Sequence, residues 1–354
     1  MPLHALTRLA HFASRKARHP LFRALQIIIA LALLGFVISQ VHWRDYPVTD
    51  EAGLTVSCPG ILSSMSGADP RWLAAAFAVS IASLGVAALR WRLLLAVQGV
   101  HISIGEMVKL QFMGEFFNTV IPGMVGGDVV KAYCVMRKTT HKAHVLVSVF
   151  VDRLLGVCAM VFTAAVMLAL LLAMGVRDRD LLHVSAPSVA VVFTAACAVL
   201  ALLLSPRLRR LCGLQKLYAR LPIAKHLAAA GDAADGYRAA PGTLVRAFLI
   251  SLLAQFLGSA FVFLLGVALG LDVPWPHYFL HVPLILIISA LPITPGGIGV
   301  MEELYLLYFV AAGNPSLVLT LAVLVRAMTL LSALPGGLVA ALTGNLSARE
   351  RLSL

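Results

Sequence analysis

Charge is scarce in this chain. Asp, Glu, Lys and Arg make up 12% of its 354 residues, against roughly 25% in a soluble domain. That deficit excludes an ordinary soluble fold. With 60% hydrophobic residues and a mean hydropathy of +0.92, it predicts a chain built to sit in lipid. No window alternates in the manner of an outer-membrane barrel strand, which removes that class. The longest polar stretch, 205–243, is too short for a sizeable soluble domain.

Motifs of several enzyme classes are missing too. The sequence has no nucleophile elbow, Walker loop, H-E-x-x-H pair or paired metal-ligand spacing, so no cofactor and no metal are expected. Energy from ATP would have to come from a partner. The five cysteines, Cys58, Cys134, Cys158, Cys197 and Cys212, lack metal-like spacing and are read as packing residues. Acidic residues are outnumbered 16 to 28, for a net charge of +12. The basic residues cluster at the ends of apolar segments, as the positive-inside rule requires. There is no basic domain, so nucleic acid is excluded as a partner.

What is present is a series of apolar segments: 24–42, 72–89, 104–121, 125–136, 144–174, 186–204, 244–270, 277–292, 298–312 and 316–343. The N-terminal residues 1–23, with Arg8, Arg15, Lys16, Arg18 and Arg23, are expected in the cytoplasm. The apolar run after them is too long for a signal-peptide core and is read as a retained span. Loop 43–71 is balanced in charge and is expected in the periplasm. Loop 205–243 carries Arg207, Arg209, Arg210, Lys216, Arg220 and Lys225 and is expected in the cytoplasm. It is either an amphipathic surface helix or a solvated connector. The tail with Arg349 and Arg351 returns to the cytoplasm.

On this count, 104–121 with 125–136 enters and leaves on the cytoplasmic side, and 277–292 with 298–312 does so on the periplasmic side. The expected fold is therefore a single all-α polytopic membrane domain over 1–354. It has about six full spans plus two opposed broken or re-entrant helical hairpins, an arrangement compatible with an inverted repeat. Two tilted full spans remain the alternative for each hairpin.

Two glycine-proline segments mark the breaks: Pro122-Gly123 followed by Gly126-Gly127-Asp128, and Pro295-Gly296-Gly297 followed by Gly299 and Glu302-Glu303. Proline removes a backbone donor and glycine permits left-handed backbone. Irregular backbone at membrane depth persists only where protein or a watery cavity satisfies it. Ionisable residues inside apolar segments are Glu115, Asp128, Lys131, Asp152, Arg153, Glu302, Glu303 and Arg326. Such residues are costly and mark functional sites unless they simply pair between helices. Arg326 falls near the middle of the last segment, with Asp128, Glu302 or Glu303 as natural partners. Asn118 precedes the first break, where it would cap exposed backbone or line a cavity. Arg90-Trp91-Arg92 reads as an interfacial anchor.

In this order, Arg90-Trp91-Arg92-Leu93-Leu94, Gly114-Glu115-Phe116-Phe117-Asn118 through Pro122-Gly123 and Gly126-Gly127-Asp128, Asp152-Arg153-Leu154-Leu155-Gly156, and Pro295-Gly296-Gly297-Ile298-Gly299 with Glu302 resemble the lysylphosphatidylglycerol synthase transmembrane-region family, the flippase-like domain proteins. The resemblance covers residues 20 to 345. It implies a stand-alone member, without the aminoacyl-transferase domain that follows this region in bifunctional relatives. It also implies lipid translocation as a class.

The expected function is that of a bacterial inner-membrane translocase, not an enzyme, moving a phospholipid or other polar-headgroup lipid between leaflets through a polar cavity between the two glycine-proline hairpins, with an anionic phosphate headgroup expected on the lipid. Its site would comprise Glu115, Asn118, Pro122, Gly123, Gly126, Gly127, Asp128, Asp152, Arg153, Pro295, Gly296, Gly297, Gly299, Glu302, Glu303 and Arg326. Arg153 and Arg326 would hold the phosphate. The carboxylates would balance them, meet a cationic headgroup or carry a coupling proton. An intramembrane lipid-modifying enzyme and a non-catalytic partner of a lipid-synthesis enzyme remain as alternatives, as does a homo-oligomer.

The topology has a direct test. A reporter fused after Arg210 should be active as a cytoplasmic fluorescent protein and silent as alkaline phosphatase. Phosphatase activity there would reverse the order of spans from 144–174 onward.

Overall fold

The structure is a computed structural model. It describes residues 44–49, 55–58, 60–120, 126–176, 181–204, 236, 237, 239–291, 294, 297–309 and 315–352. The basic N-terminus, the apolar segment 24–42, nearly all of the 205–243 loop apart from residues near its end, and the Pro122-Gly123 and Pro295-Gly296 pairs lie outside the described residues.

The chain is an all-α polytopic membrane protein with one small exception. Strands β1 (Tyr46–Thr49) and β2 (Thr55–Cys58) pair antiparallel, Tyr46 opposite Cys58 and Thr49 opposite Thr55. This two-stranded hairpin precedes the short helix α1 (Ile61–Ser66), in a loop from which no strand was expected. Asp45 ties the two together, accepting from the Ser63 hydroxyl and, at 2.8 Å, from the Gly60 amide. Those donors, the Ser63 hydroxyl first, hold the Asp45 carboxyl below the ordinary carboxylate range.

Among the described residues, four helices are long and apolar enough to cross a membrane: α2 (Pro70–Val97), α5 (Lys142–Ala173), α7 (Pro241–Ala268) and α10 (Pro315–Leu352), the last over Pro315–Ala340. At 28 residues, α2 and α7 each extend about 42 Å, beyond the roughly 30 Å hydrocarbon layer. Leu249, Leu253 and Phe256 are exposed at helical spacing on α7 and form a lipid-facing stripe. A π-helical turn (Leu181–Ser185) leads into α6 (Ala186–Leu204).

The remaining helices are short: α3 (Ile104–Val120), α4 (Gly126–Met136), α8 (Trp275–Ser289) and α9 (Val300–Phe309). With 17, 11, 15 and 10 residues, they reach about 25, 16, 22 and 15 Å, and none spans the layer alone. They pair as two antiparallel hairpins. Along α3 and α4, Glu106 meets Lys138, Gln111 meets Lys131, and Asn118 meets Gly127. Along α8 and α9, Tyr278 packs on Phe309 and His281 stacks on Tyr308.

The hairpins open at opposite ends of the α2–α7 pair. The Asp69 amide, at the start of α2, donates to the Ala268 carbonyl at the end of α7, 3.0 Å away. The two helices are therefore antiparallel. The first hairpin opens beside the C-terminal end of α2, where the Arg92 Nε donates to the Ile102 carbonyl at 2.8 Å. The second starts at Trp275, a few residues after α7 ends, and so opens at the other end. Contacts between the halves repeat this relation: α10 packs on α3, and α5 packs on α8. The first of these contacts is backbone-close. A Cβ at Gly336 of α10 would overlap the Phe112 carbonyl of α3, and one at Gly337 would fall 2.7 Å from the Phe116 ring.

Arg90 fastens three long helices. Its Nε and Nη2 donate to the two oxygens of Asp152 on α5, at 2.7 and 2.8 Å, and its Nη1 to the Ser251 hydroxyl of α7 at 3.2 Å. Both side chains are nearly buried. The expected interfacial Arg90 is thus an interior residue, because α2 continues through Leu93, Leu94 and Leu95 to Val97. Next to it, the Trp91 indole donates to the Ser148 hydroxyl at 3.2 Å. Removing one member of such a pair leaves a buried charge without compensation. Asp152→Asn should lower stability by about 3–5 kcal/mol, and Arg90→Met with Asp152→Leu should recover most of it. Thermal unfolding in nanodiscs checks both; equal stability of Asp152→Asn and the wild type would remove the fastening role.

Candidate functional site

Each hairpin ends in the same local construction. The second helix of the hairpin carries a carboxylate at its third residue: Asp128 in α4 and Glu302 in α9. The next long helix supplies an arginine at its twelfth residue: Arg153 in α5 and Arg326 in α10. Each arginine thus stands about 17 Å along its helix. A carboxylate in the first turn also meets the positive end of the helix dipole.

In the first half, the Arg153 Nε donates to Asp128 Oδ2. Lys131, one turn along α4, reaches Asp128 Oδ1 at 3.1 Å and Gln111 Oε1 at 3.1 Å. The Lys131 ammonium also lies 5.2 Å from the centre of the Trp91 ring, within cation–π range. Its aliphatic stem runs across Gly114, where a Cβ would fall 2.6–2.9 Å from it. A Cβ at Gly127 would overlap the Gly114 carbonyl. These glycines let α3 and α4 approach at backbone distance. Asn118 Oδ1 accepts from the Gly127 amide at 2.8 Å, satisfying an otherwise open donor of the first turn of α4. Glu115 faces the electrostatic field of Lys131, Arg153 and Asp128.

In the second half, the Arg326 Nε donates to Glu302 Oε1 at 2.9 Å, and Nη2 reaches the Gly297 carbonyl at 3.4 Å. Glu302 Oε2 accepts from the Gly299 amide at 2.8 Å, the reach-back half of a capping box. Gly297 and Gly299 have φ of +66° and +83°, a left-handed backbone that favours glycine. Glu303 does not join this pair. Its Oε1 is buried with no hydrogen-bond partner among the described residues.

The expected residues thus divide. Glu115, Asn118, Gly126, Gly127, Asp128 and Arg153 gather at the first hairpin's inner end, and Gly297, Gly299, Glu302 and Arg326 at the second. Asp152 is turned away into its pair with Arg90. Pro122, Gly123, Pro295 and Gly296 lie outside the described residues. Sequence reasoning missed Gln111 and the partnership of Trp91 with Lys131. Trp91, Gln111 and Lys131 sit on three separate helices or turns with no spacing that joins them. In both halves the carboxylate is buried while the arginine keeps access. Side-chain exposure is 7% for Asp128 against 53% for Arg153, and 8% for Glu302 against 31% for Arg326. An exposed guanidinium backed by a buried carboxylate suits an incoming anion with phosphate geometry.

The family model described as lysylphosphatidylglycerol synthase TM region matches residues 52–336. A UPF0104 membrane protein of Pyrococcus horikoshii is 30% identical over 121 residues, which is 33% of this chain and 36% of that protein. A UPF0104 membrane protein of Methanothermobacter thermautotrophicus is 36% identical over 73 residues, 21% of each chain. The matched stretches thus span 36% and 21% of those relatives' lengths. The family model, by contrast, runs from just before β2 to Gly336 of α10, across both hairpins. The chain belongs to the lysylphosphatidylglycerol synthase TM region family.

Proposed function

We propose that this protein translocates a lipid with a phosphate-bearing polar headgroup between membrane leaflets. The observation that carries the reading is the twin carboxylate–arginine pair at the inner ends of two hairpins opening on opposite sides. A headgroup entering from either side meets a partly exposed arginine, Arg153 at the first hairpin and Arg326 at the second. There a phosphate replaces the carboxylate as the arginine's partner. The released carboxylate then meets a cationic headgroup, takes a proton, or in the first half falls back on Lys131. A site of this kind at each hairpin supports alternating access from the two faces.

In this reading the chain lies in a bacterial inner membrane. The first hairpin opens to the cytoplasm, where Arg92, Arg137 and Lys138 gather, and both termini are cytoplasmic. The chain acts as a transporter, not an enzyme, and needs no cofactor. Its necessary partner is the membrane lipid. A second copy or a lipid-synthesis enzyme would be additional.

Reconstituted vesicles test the proposal. Arg153→Lys and Arg326→Lys keep the charge and lose the planar fork. Each should slow transfer of fluorescent phosphatidylglycerol about tenfold at an unchanged melting temperature. Arg326→Gln should be slower still and less stable, with Glu302 left uncompensated. Wild-type transfer by all three variants would return the arginines to a structural role, and wild-type protein that transfers no faster than protein-free vesicles would end the translocation reading.

A further inference from the structure

A groove of about 750 Å³ runs between α5, α6 and α8. Leu154 and Val157 of α5, Val191 and Ala195 of α6 and Ile288 of α8 form its walls. Arg153 is the one charged side chain among its described lining residues. The groove is open at the side, and Val157 and Val191 are exposed within it. In a bilayer, such a cleft between lipid-facing helices admits hydrocarbon and not water. The α6 wall, residues 187–196, extends about 14 Å, close to one leaflet's share of the roughly 30 Å layer.

Arg153 links this groove to the first hairpin. Its Nε is held by Asp128, while its half-exposed side chain borders the apolar walls. The carboxylate is buried beneath it, so the groove meets the arginine side of the pair and not the carboxylate. We infer that the groove seats one hydrocarbon chain of an anionic lipid whose phosphate rests on Arg153. Recognition then requires both parts of the lipid. The guanidinium selects the phosphate, and the walls of α5, α6 and α8 hold the chain while the headgroup is at mid-depth. Occupancy of the groove is a binding statement. Its place in transport rests on the translocation reading above.

The two readings separate experimentally. The probes are phosphatidylglycerol and phosphatidylcholine carrying the same photoactivatable group in mid-chain, incorporated in nanodiscs, with cross-linked peptides mapped by mass spectrometry. Phosphatidylglycerol should label the peptides around Val157 and Val191 about fivefold more than phosphatidylcholine does, the scale of one charge-assisted contact. Arg153→Gln should abolish that preference, and Lys131 still balances Asp128 in this variant. Ala195→Trp fills the groove from an exposed position and should remove labelling at an unchanged melting temperature. Inorganic phosphate at millimolar concentration should not compete, because it lacks the chain; competition would reassign Arg153 to free phosphate and overturn the lipid assignment. Equal labelling by both lipids, indifferent to Arg153→Gln, would mark ordinary surrounding lipid and overturn the inference. So would a disulfide between Cys158, which lines the groove, and a cysteine placed in residues 24–42, since the chain would then occupy the groove itself. Selective labelling without transfer would retain the groove and remove translocation. Wild-type transfer by an unlabelled Ala195→Trp would do the reverse.

Discussion

The cost of a charge in hydrocarbon organises this molecule. An ionised side chain at the centre of a transmembrane helix is unfavourable by about 2.5–3.5 kcal/mol on insertion scales. Arg90, Arg153 and Arg326 all lie well inside helices, and each is met by a carboxylate: Asp152, Asp128 and Glu302. The surroundings of the three pairs differ. Arg90–Asp152 is closed, with both side chains nearly buried and Ser251 taking a further guanidinium donor. The other two leave the arginine open. One ion-pair chemistry therefore takes two forms: closed, it locks α2, α5 and α7 together; partly accessible, it leaves an arginine that, in the proposed function, would receive an anion and stays compensated while empty.

Short helices follow from the same constraint. A carboxylate reaches mid-depth cheaply when it sits in the first turn of a helix that begins there, because open amides and the helix dipole share its charge. Asn118 and Glu302 show how the broken backbone is satisfied. Each accepts from a glycine amide at a break, Gly127 in one case and Gly299 in the other. The two halves solve the problem with different residues. In the first, an amide side chain from the opposing helix caps the break, leaving Asp128 to two cations. In the second, Glu302 caps its own helix with one oxygen and pairs Arg326 with the other. The halves share geometry more closely than they share sequence.

Much of this was legible beforehand. Apolar run lengths marked α2, α5, α7 and α10, and Pro-Gly clusters marked the breaks. Charge balance on the loops placed the two hairpins on opposite sides. The pairing of Arg326 with Glu302 was among three named options. What stayed hidden depended on helix continuation and on contacts between distant segments. The apolar run 72–89 stops before Arg90, yet the helix goes on to Val97, so an apparent boundary arginine is buried against α5 and α7. Asp152 and Arg153 are adjacent in sequence and point about 100° apart on α5, which sends one to α2 and the other to α4. No periodicity within α5 reveals that division, since it depends on what each face meets. The hairpin of β1 and β2 was missed because four-residue strands in a polar loop carry little apolar pattern.

The asymmetry between the halves bears on how the two sites could work in sequence. Asp128 keeps Lys131 as a second cation, so losing Arg153 to a phosphate leaves it still compensated. Glu302 has no such lysine in its own helix, and its other oxygen is committed to Gly299. Withdrawing Arg326 therefore leaves Glu302 costlier as an anion than Asp128 would be. A neighbouring carboxylate, Glu303, adds like charge one residue away. In the proposed function, exchange at the first hairpin is thus the easier of the two, and exchange at the second favours a cationic headgroup beside Glu302. Under the proposed translocation, the first pair is therefore where an anionic headgroup would be admitted, and the second is where the charge of a headgroup would have to be matched.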